Sequence, residues 1–120
     1  MSWEYKQSSG ELWRNGHKVS QGYSGKGSGK NNAAMEELVN TGPIPTGKYR
    51  IEFPRDSANT GPYVLPLFPV EHSAHGRTHF QIHGDSIKSP GTASSGCIIM
   101  PRSIRERIWS SGDKELNVVK

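Results

Sequence analysis

The sequence is short of the features that stabilise many small proteins. It has a single cysteine in 120 residues, so no disulfide can form within the chain. Its Leu, Ile, Val and Phe residues number only 22, a proportion at which disorder has to be considered. The net charge of +4 is too small for a disordered chain of this length. These shortages predict a folded domain with a thin core, specified largely by backbone pairing and turns.

Long apolar runs are also missing. Ile98-Ile99-Met100 is typical of the apolar stretches, and none approaches the roughly 20 residues of a membrane-spanning helix. The first residues, Met-Ser-Trp-Glu-Tyr-Lys-Gln-Ser, contain neither the basic segment nor the apolar segment of a secretory signal. We therefore expect no membrane insertion and no signal-dependent export.

Glycine and proline are plentiful, with 14 and 8 residues, and indicate a turn-rich fold. No linker or internal repeat divides the sequence, so residues 1–120 are predicted to form a single, mainly β domain. The excess of 15 Lys and Arg over 11 Asp and Glu favours an acidic partner. Nucleic acid is not expected as that partner, because no recognition motif accompanies the high pI of about 9.4.

Local patterns predict six or seven strands and two short helices. Asn15-Gly16 is the favoured pair for a tight hairpin turn between residues 11–14 and 17–20. Alternating apolar residues predict strands at 48–53, with Phe53 on the buried face, and at 78–83, and a last strand covers 115–119. Pro66 and Pro69 restrict the strand at 63–70 to an edge or a broken element. The helices are predicted at 33–39, capped by Asn32, and at 101–110.

The candidate chemistry lies in Cys97 and in His83, which precedes it by 14 residues (97 minus 83). A thiol needs a base or a positive field to act as a nucleophile at neutral pH, and an imidazole can supply the base. Gly84 and Gly96 let the backbone turn or approach closely beside these two residues. The amides of Ser95, Gly96 and Cys97 are candidates for an oxyanion hole. A buried, inert cysteine and a structural histidine are the alternative interpretation.

Several segments, in order, resemble the L,D-transpeptidase (YkuD-like) family over roughly residues 22 to 108. The resemblance is strongest to the short type VI secretion L,D-transpeptidase effectors, which share the Tyr-Ser-Gly and His-Gly-Asp segments. Two positions depart from the family pattern: Ser95 stands where histidine is usual, and Ile99 where arginine is usual. The segments are Tyr23-Ser24-Gly25, Gly42-Pro-Ile-Pro-Thr-Gly47, Ile82-His83-Gly84-Asp85 and Ser94-Ser95-Gly96-Cys97-Ile98.

The resemblance implies a β-sandwich-like catalytic fold in which Cys97 is the nucleophile and His83 its base. Its substrate would be the tetrapeptide stem of peptidoglycan, cleaved before the terminal D-alanine. The resulting thioester would pass to water (L,D-carboxypeptidase) or to an amine (L,D-transpeptidase exchange). Ser95 and Gly96 would complete the catalytic group, without metal or cofactor. Substrate contacts are expected from Tyr23, Ser24, Arg77, Gly84, Asp85 and Arg102.

The resemblance also implies a biological setting. A protein of this branch would be an antibacterial toxin, exported by a route other than Sec and acting in the periplasm of a target bacterium. Its producer would need an immunity protein that inhibits it. Lys88, Arg77 or Arg102 would orient the anionic stem peptide, and Arg77 or Arg102 would replace the missing arginine charge.

Two other functions remain open on the sequence. A zinc hydrolase is suggested by the spacing of His72, His75, His79 and His83, with Cys97 as a further ligand. Strand geometry argues against it, because residues four apart on a strand are about 13 Å apart. A non-catalytic module that binds cell-wall peptides is the other alternative, and it requires Cys97 to be inert.

Overall fold

The computed structural model describes residues 2–120 and shows a mainly β protein. One α-helix, α1, covers Arg102–Ser110, and single 3-10 turns lie at Gly27–Gly29, Ala33–Met35 and Ala74–Gly76. The ten strands are β1 (Trp3–Lys6), β2 (Glu11–Arg14), β3 (His17–Gln21), β4 (Tyr23–Ser24), β5 (Gly47–Ile51), β6 (Arg55–Ser57), β7 (Gly61–Val70), β8 (Phe80–His83), β9 (Ile98–Ile99) and β10 (Glu115–Val119). The predicted mainly β class is confirmed.

The strands form one mixed sheet. Their order is β3-β2-β1-β10-β5-β7-β8-β9-β4, and β6 pairs with β7 beside this path. Two pairs are parallel, β1 with β10 and β8 with β9, and the others are antiparallel. The core includes Trp3, Tyr5, Tyr49, Leu65, Phe80, Ile82, Ile98, Ile108 and Leu116. The parallel β8–β9 pair brings the His83 and Cys97 segments side by side.

The predicted hairpin is confirmed. β2 and β3 are antiparallel, and Asn15 and Gly16 between them have φ of 53° and 77°. Positive φ at both central residues is what a tight hairpin turn with the right strand twist requires. The Asn-Gly pair alone was therefore enough to locate this turn.

The prediction of an edge or broken strand at 63–70 is wrong, because β7 is long and pairs with β5 on one side and β8 on the other. The Pro66 carbonyl accepts from Glu52 N at 3.0 Å. Because the N–H and C=O of one strand residue point to the same side, the N–H that Pro66 lacks would also face Glu52, one residue beyond the end of β5 at Ile51. By alternation, Pro69 faces the β8 side before β8 begins at Phe80. Pro66 thus lacks only the hydrogen bond reciprocal to that from Glu52 N, at the end of β5, and Pro69 has no strand opposite its missing N–H, so both are tolerated.

The helix predicted at 33–39 is wrong, whereas the one at 101–110 is confirmed as α1. Asn32 does cap the first segment, accepting from Ala34 N at 3.1 Å, but only one 3-10 turn follows. Glu36 is held by other parts of the chain: Gln7 Nε2 donates to its carboxylate at 2.8 Å and Thr46 N at 3.2 Å. These tertiary contacts override a helical tendency of barely two turns.

Phe53 was predicted on the buried face of its strand and is 74% exposed. β5 ends at Ile51, so the alternation that would have buried Phe53 no longer applies. Its ring lies instead 5.2 Å from that of Trp109, centroid to centroid. The strand predicted at 78–83 begins at Phe80, because His79 has a φ of 66°, outside the β region.

Candidate functional site

Cys97 lies directly before β9, at the edge of a cavity of about 340 Å³. Its thiol is near the backbone carbonyl of His79 on the neighbouring segment, with Sγ 3.6 Å from the oxygen. The preceding Gly96 has a φ of 132°, a backbone conformation that is nearly restricted to glycine. The nucleophile predicted from the sequence therefore stands on a sharply turned loop that opens to a groove.

The hydroxyl of Ser94 organises this loop from within. It accepts from Gly25 N at 2.9 Å and from Gly96 N at 3.0 Å, and it donates to the Cys97 carbonyl at 2.6 Å. Because Gly96 N is used in this way, the amides of Ser95 and Cys97 are what remains of the predicted oxyanion hole. Gly96 thus shapes the loop, and Ser95 lies exposed at the groove.

Ser24 was predicted to contact substrate, and the structure buries it beneath the loop. Its hydroxyl donates to the Gly96 carbonyl at 3.2 Å and accepts from Ile44 N at 2.8 Å. This side chain fastens the proline-rich turn to the Cys97 loop. The described contacts give it a positioning role.

Arg77, another predicted substrate contact, is only 6% exposed. Its guanidinium donates to four carbonyl oxygens, those of Glu36, Gly42, Pro43 and Ser95. It also packs so closely on Gly96 that a Cβ there would overlap Nη2. Arg77 joins the 36–43 segment to the Cys97 loop and puts a positive charge beside the thiol.

Burial raises the pKa of the Cys97 thiol to about 11. A hydrogen bond from the Gln81 backbone and the charge of Arg77 both lower the pKa, but they do not offset the loss of water. Cys97 is therefore a neutral thiol at neutral pH in this structure.

His83 ends β8 and is 3% exposed. Its Nδ1 lies 2.9 Å from the Gly84 carbonyl, an acceptor, so Nδ1 carries the proton and Nε2 has the free lone pair. Burial lowers the His83 pKa, with a further decrease from the charge of Arg105, against opposite effects of Gly84 and Asp85. The imidazole is consequently neutral at neutral pH and has the tautomer of a base acting through Nε2.

The structure brings His83 and Cys97 onto adjacent strands without joining them. His83 pairs with Ile99 in the parallel register, whereas the Cys97 sulfur is near the backbone of His79 and Gln81. Two residues of strand separate Gln81 from His83, about 7 Å along its axis. No hydrogen bond connects Cys97 with His83 in residues 2–120, and the two line different cavities. The direct contact that a nucleophile makes with its base is not formed here.

Tyr23 and Asp85 were predicted as substrate contacts, and the structure brings them together. Tyr23 Oη donates to Asp85 Oδ1 at 2.6 Å and accepts from Ala93 N at 2.9 Å. Asp85 also accepts from Ser86 N and Gly91 N. Although partial burial opposes it, these hydrogen bonds lower the Asp85 pKa. Together the contacts close the loop that connects β8 to β9.

A second cavity, of about 670 Å³, lies on the His83 side. Gly84, Asp85 and Arg102 from the predicted set line it. Arg102 is exposed, and its Nε is 2.9 Å from Glu106 Oε2, one helical turn further on. Arg105 also lines this cavity and was missed in the sequence. Its position three residues before the buried Ile108 was an available signal, because residues so spaced share a helix face.

The described residues do not form the zinc site of the alternative interpretation. No three His, Cys, Asp or Glu side chains lie close enough in residues 2–120 to hold a metal ion. His72 Nε2 is instead 2.9 Å from the Lys48 carbonyl oxygen, and His75 Nε2 is 2.6 Å from Glu36 Oε2.

In residues 2–120, no helix has the length and apolar character to cross a membrane.

Comparison with known proteins places this architecture in a family. No curated protein and no solved structure is similar enough to the chain to match. The family model of the Tlde1 domain, a type VI secretion effector domain, matches residues 18–120, which include Cys97, His83 and all the predicted substrate contacts. The chain therefore belongs to the Tlde1 domain family.

Proposed function

We propose that this protein is a cysteine-dependent acyl-transfer enzyme that acts on the tetrapeptide stems of peptidoglycan. The observation that carries the proposal is the hydrogen bond from His83 Nδ1 to the Gly84 carbonyl. It fixes a buried imidazole with a basic Nε2 on the strand next to the chain's only cysteine. The motif resemblance and the type VI effector family support the same chemistry.

Both reacting groups are neutral in the resting structure, which favours general-base catalysis over a preformed ion pair. As Sγ attacks the carbonyl carbon, its proton passes to His83 Nε2. The amides of Ser95 and Cys97 donate to the oxyanion. Nε2 then protonates the amine of the terminal D-alanine as the C–N bond breaks, leaving a thioester on Cys97.

The second half of the reaction reverses these roles. His83 Nε2 takes a proton from water or from an amine acceptor, which attacks the thioester carbon. The C–S bond breaks and the thiol recovers its proton. Water gives the shortened stem, and an amine gives an exchanged or cross-linked product.

The resting separation of the two side chains has a consequence for this mechanism. Sγ must leave the His79 carbonyl and approach His83, a local movement at the loop around Gly96. Catalytic hydrogen bonds are often long or absent before substrate binds. We expect the stem peptide, once bound in the groove, to displace the Sγ–His79 contact.

The effector family supports a matching biological role. We propose that the protein is delivered by a type VI apparatus into the periplasm of a target bacterium, where it damages the cell wall. A producing cell then needs an immunity protein against it.

The test uses purified disaccharide-tetrapeptide and mass spectrometry. The wild-type protein should remove one alanine, or exchange it when a D-amino acid is supplied. Cys97→Ala and His83→Gln should abolish the change, whereas His17→Gln, an exposed histidine on the distant hairpin, should leave it intact. Unchanged tetrapeptide with the wild-type protein, or undiminished turnover by Cys97→Ala, would refute the proposal.

A binding module that does not cleave the peptide is the second candidate. The raised thiol pKa and the missing thiol–imidazole contact favour it. It predicts that wild-type protein and Cys97→Ala bind the tetrapeptide equally and that neither alters it, so the same samples separate the two functions.

A further inference from the structure

The cavity beside His83 is electrostatically unbalanced. Lys88, Arg102 and Arg105 line it, against the single carboxylate of Asp85. That carboxylate already accepts hydrogen bonds from Tyr23 Oη and from backbone amides. Glu106 offsets Arg102 at the rim, where both side chains are about half exposed. In residues 2–120 neither Lys88 nor Arg105 forms an ion pair, and of these two cations only Arg105 is buried.

Arg105 is 5% exposed, yet its hydrogen bonding is incomplete. Nη1 donates to the Pro62 carbonyl at 2.9 Å and to the Tyr63 carbonyl at 2.8 Å. Nε is buried without a partner, and in residues 2–120 no carboxylate forms an ion pair with this guanidinium. A buried cationic donor left without an acceptor is costly.

Arg77 provides an internal comparison. It is buried to a similar degree and also has no ion pair in the described chain, but its two terminal nitrogens donate to four carbonyls. Both terminal nitrogens of Arg77 therefore have acceptors within the fold. In residues 2–120, Nε and Nη2 of Arg105 have no hydrogen-bond acceptor.

The unmet donors have the geometry of a carboxylate receptor. Nε and Nη2 form one edge of the planar guanidinium, and such an edge accepts two carboxylate oxygens side by side. Gly84 borders this edge, where an added Cβ would lie 3.0 Å from Nη2. Its φ is not in the left-handed region, so glycine is not required there by the backbone. The absence of a side chain instead keeps the space beside Nη2 open.

Helix α1 adds to the attraction for an anion. It begins at Arg102 beside the same cavity, with no side-chain cap and no acidic residue in its first turn. The positive end of the helix dipole is therefore not neutralised by the helix's own residues.

From these observations we propose that the cavity next to His83 is a carboxylate-binding site in which Arg105 holds a carboxylate of a peptide ligand through Nε and Nη2. Only the identity of that peptide, a peptidoglycan stem, rests on the proposed function. The carboxylate is either the C-terminal one of the stem or one inside it. Arg105 would then be a specificity-determining residue.

The test measures binding without turnover, in a Cys97→Ala background. Three tetrapeptides are titrated: the free acid, the form with a C-terminal amide, and the form with amidated internal carboxylates. Affinity comes from calorimetry, and the Nε–Hε signal of Arg105 in the NMR spectrum reports contact at the site. Arg105→Gln and Arg105→Lys are compared with Arg107→Gln, an exposed arginine on the same helix.

We expect one of the two amidated peptides to bind about tenfold more weakly than the free acid, and that peptide identifies the carboxylate. Arg105→Gln should abolish the difference, Arg105→Lys should keep part of it, and Arg107→Gln should keep all of it. Binding of all three peptides with equal affinity, no binding, or an unchanged Nε–Hε signal would overturn the proposal. The acid–amide comparison and the NMR signal need no Arg105 variant, so the test holds even if Arg105→Gln fails to fold.

Failure of this proposal and failure of the proposed function are distinguishable. If the free acid binds more tightly than an amidated peptide but the wild-type protein does not turn the peptide over, the carboxylate site is supported and the enzymatic function is refuted. If the wild-type protein turns over free and amidated peptides equally well, the enzymatic function is supported and the carboxylate site is refuted.

Discussion

The reactivity of Cys97 with iodoacetamide gives a direct test of the resting state of the thiol. Burial raises its pKa to about 11, against about 8.5 for an unperturbed cysteine. At about pH 7.5 the folded protein then holds about 300-fold less thiolate than a free cysteine peptide. A more basic thiolate is more nucleophilic, which recovers about 10- to 20-fold. The folded protein should therefore react about 20-fold more slowly than a model peptide.

The assay is simple because Cys97 is the only cysteine. Alkylation is followed by mass spectrometry from about pH 7 to about pH 9, with the same protein unfolded in urea as the reference and Cys97→Ala as the blank. Since the thiol pKa lies above this range, the logarithm of the rate should rise by about one for each pH unit, without a plateau. A plateau near neutral pH, or a folded rate above the unfolded one, would show a preformed thiolate–imidazolium pair. That result would refute the neutral resting state argued from burial.

Three further predictions concern the groups around the thiol. Arg77→Lys should lower the free energy of unfolding by about 2–4 kcal/mol in urea denaturation, because one ammonium group cannot donate to four carbonyls. The control Arg50→Lys, at an exposed arginine, should change it by less than about 0.5 kcal/mol. Equal effects of the two variants would contradict the role of Arg77. Ser24→Ala should cost about 1–3 kcal/mol by the same measurement, since Ile44 N loses its buried acceptor, and a cost near zero would show that Ser24 is not a fastening point. Because burial lowers the His83 pKa, the neutral, basic form of the imidazole persists to lower pH. In the pH profile of kcat/KM, the acid limb should therefore lie below about pH 6.5. An acid limb above that pH would contradict the burial argument.

Local patterns predicted the parts of the fold that local chemistry decides. The Asn15-Gly16 turn follows from the φ values that two residues must adopt, and α1 follows from a proline start and an apolar face. The failures came where distant segments compete with local preference. Pro66 lies in a strand with neighbours on both sides, and its missing N–H faces Glu52, one residue beyond the end of β5 at Ile51. No local pattern reveals where the neighbouring strand ends.

The candidate site was predicted in the same uneven way. The motif resemblance pairs His83 with Cys97, and in the structure the parallel pairing of β8 with β9 brings the two segments together. The resemblance did not predict the offset of the two side chains along those strands. Arg77 was predicted as a substrate contact, and Arg105 was missed although its spacing from Ile108 was a signal. Both are charged residues whose roles depend on which carbonyls surround them, and those carbonyls come from distant parts of the chain.

The pairing of β1 with β10 bears on where a working fragment can be cut. β1 lies inside the sheet, between β2 and β10, and contributes Trp3 and Tyr5 to the core, although the family match begins only at residue 18. Trimming the protein to residues 18–120 would remove the strand that pairs with β10 on one side and would remove Trp3 and Tyr5 from the core. Such an unprotected strand invites aggregation or exchange between copies. Expression designs should therefore retain residues 2–17 as part of the folding unit.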